Sequence, residues 1–156
     1  MKILVISDSH GSFNKMREVF LSDNFGAVIF LGDGIRDADR LYDMSGAVPV
    51  CRVSGNCDFY SPDTISEQII ELSGKKILVT HGHKYSVKSG YHTLRYIAKK
   101  RGVDIALFGH THIPFYEKED GLILANPGAL SNGKYAVLTI EQKNISFKHG
   151  DIYDKK

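Results

Sequence analysis

Residues 1–34 read MKILVISDSHGSFNKMREVFLSDNFGAVIFLGDG, and this stretch decides the fold. Ile3–Ile6 and Val28–Leu31 are short apolar runs rich in Ile, Leu and Val, the composition of strands buried on both faces. Between them Phe13, Met16, Val19 and Phe20 recur at helical spacing after Ser12, a candidate N-cap. Strand, helix, strand is the simplest account. Both strands stop at polar residues, Asp8-Ser9-His10 after the first and Gly32-Asp33-Gly34 after the second.

The pattern continues outward. Val48–Val53, Ile77–Val79 and Ile105–Phe108 are further buried-looking runs, and helices are predicted at Asp37–Met44 and Lys88–Arg101, the latter stopped by Gly102. Strands alternating with helices predict parallel pairing over the first half. The second half predicts antiparallel hairpins: Thr64–Leu72 with Lys76–Thr80 across Ser73-Gly74, Phe115–Lys118 with Leu122–Ala125 across Asp120-Gly121, and Tyr135–Ile140 with Ile145–Lys148. An α/β fold of two mixed sheets packed face to face, flanked by helices, follows. With 156 residues and neither repeat nor linker, a single domain over 1–156 is expected, with a tail fraying from Tyr153.

Composition narrows the class without naming a task. Hydrophobic residues at 42% and charged residues at 24% describe a globular chain. A net charge of +2 is too small to make nucleic acid or an anionic membrane the default partner. The run Lys99-Lys100-Arg101 falls where a helix should end, and cations there complement its dipole. No stretch approaches the roughly 20 apolar residues of a membrane span, and Ile3–Ile6 is far shorter than a signal-peptide core. Cys51 and Cys57 therefore read as free thiols of a cytoplasmic protein.

Chemistry-bearing residues recur in one context, immediately after a strand. To the two loops above are added Gly55-Asn56-Cys57-Asp58, His81-Gly82-His83 and Gly109-His110-Thr111-His112. Five of the seven histidines lie in these loops, whereas His92 and His149 do not. In open α/β sheets ligands bind beyond the carboxyl ends of strands, so the five loops should converge on one rim. Two carboxylates, an amide and several imidazoles form a mixed oxygen and nitrogen donor set suited to divalent first-row ions, and one carboxylate can bridge two of them. Gly32, Gly55, Gly82 and Gly109 should let backbone pass close to metal or phosphate.

Asp8-x-His10, Gly32-Asp33, Gly55-Asn56, His81 in a Thr-His-Gly-His run and Gly109-His110-x-His112 resemble, in order and spacing, the calcineurin-like metallophosphoesterase signature. The likeness covers roughly residues 1–140 and is greatest to the small branch that holds bacterial and archaeal phosphodiesterases and the metallophosphoesterase-like subunit of retromer. It implies a four-layer α/β/β/α sandwich and two divalent ions per chain, Mn²⁺ first among candidates that include Ni²⁺, Fe²⁺, Zn²⁺ and Co²⁺. It assigns Asp8, His10 and His112 to one ion, Asn56, His81 and His110 to the other, and Asp33 as the bridge. Asp33, Asn56 and His81 also count as catalytic, and the activity implied is in-line attack of a bridging hydroxide on a small phosphodiester. A phosphomonoesterase and a non-catalytic interaction module on the same fold are the alternatives.

One position departs from the larger family, which has a proton-donating His after the metal-binding Asn; here Cys57 stands in its place. The small branch commonly lacks that His, which leaves the leaving-group acid unassigned. Cys57, Asp58 and His83 are expected behind the ligands or facing substrate, and Asn126, before Pro127-Gly128, reads as a turn residue near the rim. Oligomeric state is left open, homo-oligomers included. The absence of Arg from the motif loops, apart from nearby Arg36, favours diesters over more highly charged monoesters.

Overall fold

The computed structural model describes residues 1–59 and 65–154. In chain order its main elements are β1 (Lys2–Ile6), α1 (Phe13–Leu21), β2 (Ala27–Phe30), α2 (Ile35–Met44), β3 (Val50–Arg52), β4 (Glu67–Leu72), β5 (Lys75–Thr80), α3 (His92–Lys100), β6 (Ile105–Leu107), β7 (Phe115–Glu119), β8 (Leu122–Asn126), β9 (Lys134–Glu141) and β10 (Asn144–Asp151). They form two five-stranded sheets, β10-β9-β1-β2-β3 and β4-β5-β6-β8-β7. Pairing is parallel for β1 with β2, β2 with β3, β5 with β6 and β6 with β8. The predicted hairpins β4–β5, β7–β8 and β9–β10 are antiparallel.

The continuous apolar runs are explained by layering. Along β1, Ile3 and Val5 point between the sheets, where they join Ile29, Ile77, Val79, Ile105 and Ile123 in a shared core. Leu4 and Ile6 point outward and pack with Phe30 against Met16, Val19 and Leu41 of α1 and α2. On the far side Leu78, Ala106 and Phe108 pack against Leu94 and Ala98 of α3. Helix, sheet, sheet, helix is thus the order of layers.

Two expectations are corrected. The helix predicted from Lys88 starts at His92: Val87–Ser89 forms a separate 3₁₀ turn, and Gly90, at φ 128°, breaks the continuation. Ser12 precedes α1 but makes no side-chain cap bond. At the start of the tail, Tyr153 N–H donates to Asp151 Oδ1 (2.9 Å) and Lys15 Nζ lies 5.6 Å from the Tyr153 ring centroid. Thr64 lies outside the described residues.

Candidate metal centre

The loops leaving the parallel strands are tied to one another through their backbones. Asp8 N–H donates to Gly32 O (2.9 Å), His10 N–H to Asp33 O (3.1 Å) and Gly109 N–H to His81 O (3.0 Å). A bond from His110 N–H to Asp8 Oδ2 (3.1 Å) then joins the two sheets. Among the described residues nine with side chains have positive φ, and five are Asp8 (53°), His10 (44°), Asp33 (60°), His110 (69°) and His112 (64°). That conformation costs an L-residue roughly 1–2 kcal/mol, and strain gathered in one place marks a functional site.

The strained loops deliver two trios. Ligand atoms of Asp8, His10 and His112 lie within 4.8 Å of one another, as do those of Asp33, His81 and His110. Asp8 Oδ1 is 3.1 Å from His112 Nε2, 3.7 Å from His10 Nε2 and 3.8 Å from His81 Nε2. Asp33 Oδ2 is 3.2 Å from His81 Nε2 and 3.9 Å from His10 Nε2, so this carboxylate faces both trios. His10 and His112 oppose each other Nε2 to Nε2 at 3.4 Å.

Proton placement tests whether a cation fits. His81 Nδ1 sits 2.7 Å from the Leu31 carbonyl oxygen, which requires its proton on Nδ1 and, in the neutral ring, leaves a lone pair on Nε2. That lone pair meets a carboxylate oxygen, acceptor against acceptor. Asp8 Oδ1 and His81 Nε2 are both buried without a hydrogen-bond partner. Such a pair calls for a positive charge between them, a proton or a metal ion, and the donor set suits a divalent ion.

The titration pattern agrees. Burial pushes the Asp33 carboxyl up, but the His81 ring and the Cys57 N–H outweigh it and hold it well below the usual carboxylate range. Burial pushes His81 down, yet Asp33 and Asp8 raise it overall above its ordinary 6.5. His110 is lowered by burial, His81 and Lys88, and His83 by burial, His81 and Lys84.

Supporting residues hold the ligand loops. Asp58 accepts from the N–H groups of Asp33 (2.8 Å), Gly34 (2.9 Å), Ile35 (3.1 Å) and Gly55 (2.8 Å). It therefore fixes the Asp33 loop and the start of α2. Asp37, which the sequence reading passed over, accepts from Ser9 Oγ (2.6 Å) and Gly11 N–H (2.9 Å) and so holds the Asp8–His10 loop. Ser7 Oγ donates to Asp8 Oδ2 (2.5 Å). Asn126 is fully buried behind the Gly109–His112 loop, more than the turn residue expected.

Cys57 N–H donates to Asp33 Oδ1 (2.8 Å), and its exposed thiol is pushed up by burial and by the carboxylates of Asp33, Asp58 and Asp8. Asn56 is exposed on the same turn, its Nδ2 3.6 Å from Cys57 Sγ. His83 is half-buried with its ring centroid 5.5 Å from that of His81 and 6.1 Å from that of His110. Two of the glycines also have a protein-side reason: a Cβ at Gly55 would overlap Asp33 Oδ1, and one at Gly109 would overlap Ser7 Oγ, so these glycines make room for the carboxylates and their supports. A cleft of about 290 Å³ opens beside His10 and Asp33, lined also by Gly11, Arg36, Cys57 and Asp58.

The profile of the calcineurin-like phosphoesterase superfamily domain matches residues 1–153. The chain belongs to this superfamily. Its relatives include the probable metallophosphoesterase YsnB of Bacillus subtilis, 31% identical over 97% of this chain and 91% of that protein. Phosphodiesterase YfcE of Escherichia coli is 27% identical over 84% of this chain and 80% of its own length. The crystal structure of a predicted phosphoesterase from Streptococcus pneumoniae superposes with a TM-score of 0.81 at 28% identity, covering 96% of this chain and 88% of that one. The four-layer sandwich is thus the calcineurin-like fold.

Proposed function

We propose that this calcineurin-like phosphoesterase is a dinuclear metal-dependent phosphodiesterase. The observation that carries the reading is the convergence of two ligand trios on Asp8 Oδ1 and His81 Nε2, buried polar atoms with no hydrogen-bond partner. Asp8, His10 and His112 would hold one ion, Asn56, His81 and His110 the other, and Asp33, facing both trios, would bridge. Mn²⁺ suits this oxygen and nitrogen set, and the free thiols of Cys51 and Cys57 suit a cytoplasmic setting. When bound, the ions supply a hydroxide nucleophile at neutral pH and offset charge on the phosphoryl oxygens.

This chain's own part is orientation. The Leu31 carbonyl fixes the His81 tautomer, Asp58 and Asp37 hold the carboxylate loops, and the cleft beside His10 receives the ester group. YfcE, by its name a phosphodiesterase, lends weight to diesters. A phosphomonoesterase is the second reading, because Arg36 lines the cleft and Lys88 acts electrostatically on His110, cations the motif loops themselves do not show.

Hydrolysis of bis(p-nitrophenyl) phosphate against p-nitrophenyl phosphate by Mn²⁺-loaded protein separates the readings. The proposal expects a higher kcat/KM on the diester and loss of activity on chelation. Faster monoester turnover favours the second reading, and binding of two ions without hydrolysis of either ester leaves an interaction module.

A further inference from the structure

We infer that Asn126 is a positioning residue for both ion sites, holding through one buried amide the loop that carries a ligand to each; the inference rests on the assignment of His110 and His112 proposed above. Asn126 ends β8 with its side chain fully buried. Its Oδ1 accepts the Gly128 N–H (2.8 Å), a bond only an oxygen can make, which fixes the amide orientation. The nitrogen is thereby turned toward the ligand loop, where Nδ2 donates to Gly109 O (3.0 Å) and Thr111 Oγ1 (3.0 Å).

Those two acceptors bracket His110, and Thr111 separates it from His112. Thr111 Oγ1 also accepts the Ile113 N–H (3.1 Å), so the hydroxyl carries the restraint past His112. Both histidines have left-handed backbone that the loop must be made to keep. The amide is anchored in turn: the Asn126 carbonyl oxygen lies 2.8 Å from His149 Nε2 on β10, a strand of the other sheet. A turn residue before Pro127-Gly128 needs only the Gly128 bond. The two donors aimed back at residues 109 and 111, 17 and 15 positions earlier, are what the turn does not require.

Asn126→Asp separates these roles, because it keeps an acceptor for Gly128 and removes both donors. Thr111→Val deletes the Asn126 link and the Ile113 bond that shares its hydroxyl, without burying a charge, and Thr111→Ser restores both. The measurement is Mn²⁺ affinity and stoichiometry by titration against a competing chelator, with amide hydrogen exchange of residues 109–113 in metal-free protein as a second readout. Asn126→Asp should weaken both ions by about 10–100-fold, the usual effect of losing a support behind metal ligands. Thr111→Val should weaken both by less and Thr111→Ser should recover them, with exchange at 109–113 faster in Asn126→Asp and Thr111→Val but not in Thr111→Ser.

A folded Asn126→Asp protein with unchanged affinities, or with one ion alone affected, overturns the inference. Should Asn126→Asp fail to fold, the Thr111 pair decides: equal affinities and equal exchange in Val and Ser variants overturn it. If unmodified protein binds no Mn²⁺, the proposed function fails instead, and the exchange comparison still tests whether the clamp orders the loop.

Discussion

Loops leaving β1 and β2 bring Asp8 and Asp33 to the centre, whereas loops leaving β5 and β6 bring His81, His110 and His112. Each half is held by groups suited to its own charge. The carboxylate loops close around further carboxylates, Asp37 and Asp58, that gather backbone N–H donors. The imidazole half is fixed by a carbonyl, Leu31 O, and by an amide donor, Asn126 Nδ2. Charge and shape are therefore supplied separately: the first sheet brings most of the negative charge, and the second brings imidazoles whose tautomer and backbone must be set. His10 crosses the division, an imidazole on a carboxylate loop.

The comparison breaks hardest at Asp33. If its carboxylate serves both trios, Asp33→Asn should lower kcat/KM on the order of a thousandfold or more, since metal-supplied charge stabilisation is worth several kcal/mol. His83→Ala, touching neither trio's ligand atoms, should cost only about 10–100-fold. Equal losses in a side-by-side assay at saturating Mn²⁺ would remove Asp33 from its bridging place.

The supports come next. Asp58→Ala strips four backbone N–H groups of a charged acceptor, and a loss on the order of 3 kcal/mol in the metal-free protein is expected. That corresponds to a fall in melting temperature of about 6–12 °C for a chain of this size. Asp37→Ala, which removes two bonds, should lower it by less. Thermal melts of both variants in a chelating buffer check the order, and a reversed order would mean that the Asp8–His10 loop depends on its support more than the Asp33 loop does.

The two halves should also differ in proton release. Asp33 is held below the usual carboxylate range and is already ionised at neutral pH, so metal displaces no proton from it. His81 is raised above 6.5, so the metal-free fold holds a proton there more tightly than a free imidazole does, and metal binding competes with it. Mn²⁺ affinity should then rise with pH by up to about tenfold per unit until His81 deprotonates. Linked stability has the opposite sign: the folded state binds this proton more tightly than the unfolded chain, so its contribution is full below 6.5 and lost as pH rises through the folded value. His83 and His110 are lowered, and each adds stability that falls away as pH drops through 6.5. Calorimetric titration near pH 7 in two buffers of different ionisation enthalpy should show more proton release in the unmodified protein than in His81→Asn. Equal release in both would place the displaced proton elsewhere.

Much of this centre was legible because the strands announce their own ends. Ile3–Ile6, Val28–Leu31 and Ile105–Phe108 are apolar on both faces, and each gives way to polar ligand residues within two or three positions. Even the left-handed backbone leaves a trace, since Asp and His tolerate it better than most residues. What was hidden acts across distance in the chain. Asp37 reaches Ser9 over 28 positions and Asn126 reaches Thr111 over 15, and no local pattern marks such a bond. Lys88 lies not in α3 but in the 3₁₀ turn Val87–Ser89, set off from the helix by Gly90 at φ 128°, and from there it lowers the His110 pKa.

The smallest expected effect belongs to Cys57, which sits on a carboxylate loop where the larger family places its proton donor. Its thiol is pushed up by burial and the surrounding carboxylates, so in the metal-free protein it keeps its proton; two bound cations would offset those carboxylates and favour the thiolate. In either condition sulfur is a weak hydrogen-bond donor, and Cys57→Ser should leave kcat/KM on an aryl diester within about threefold. Without an acid the leaving oxygen departs largely unprotonated. Acid assistance is typically worth about 10²–10⁴-fold, so its absence should appear as a steep dependence of rate on leaving-group pKa, with aryl diesters far faster than alkyl ones. Cys57→His should then speed alkyl diesters selectively, provided the imidazole reaches the scissile oxygen. The measurement is kcat/KM over a graded series of diesters for all three proteins at fixed Mn²⁺ and pH. A shallow slope in the unmodified protein would show that a proton is already supplied, and a selective loss on alkyl diesters in Cys57→Ser would identify the thiol as its source, making the carboxylate half of the centre catalytic beyond holding ions.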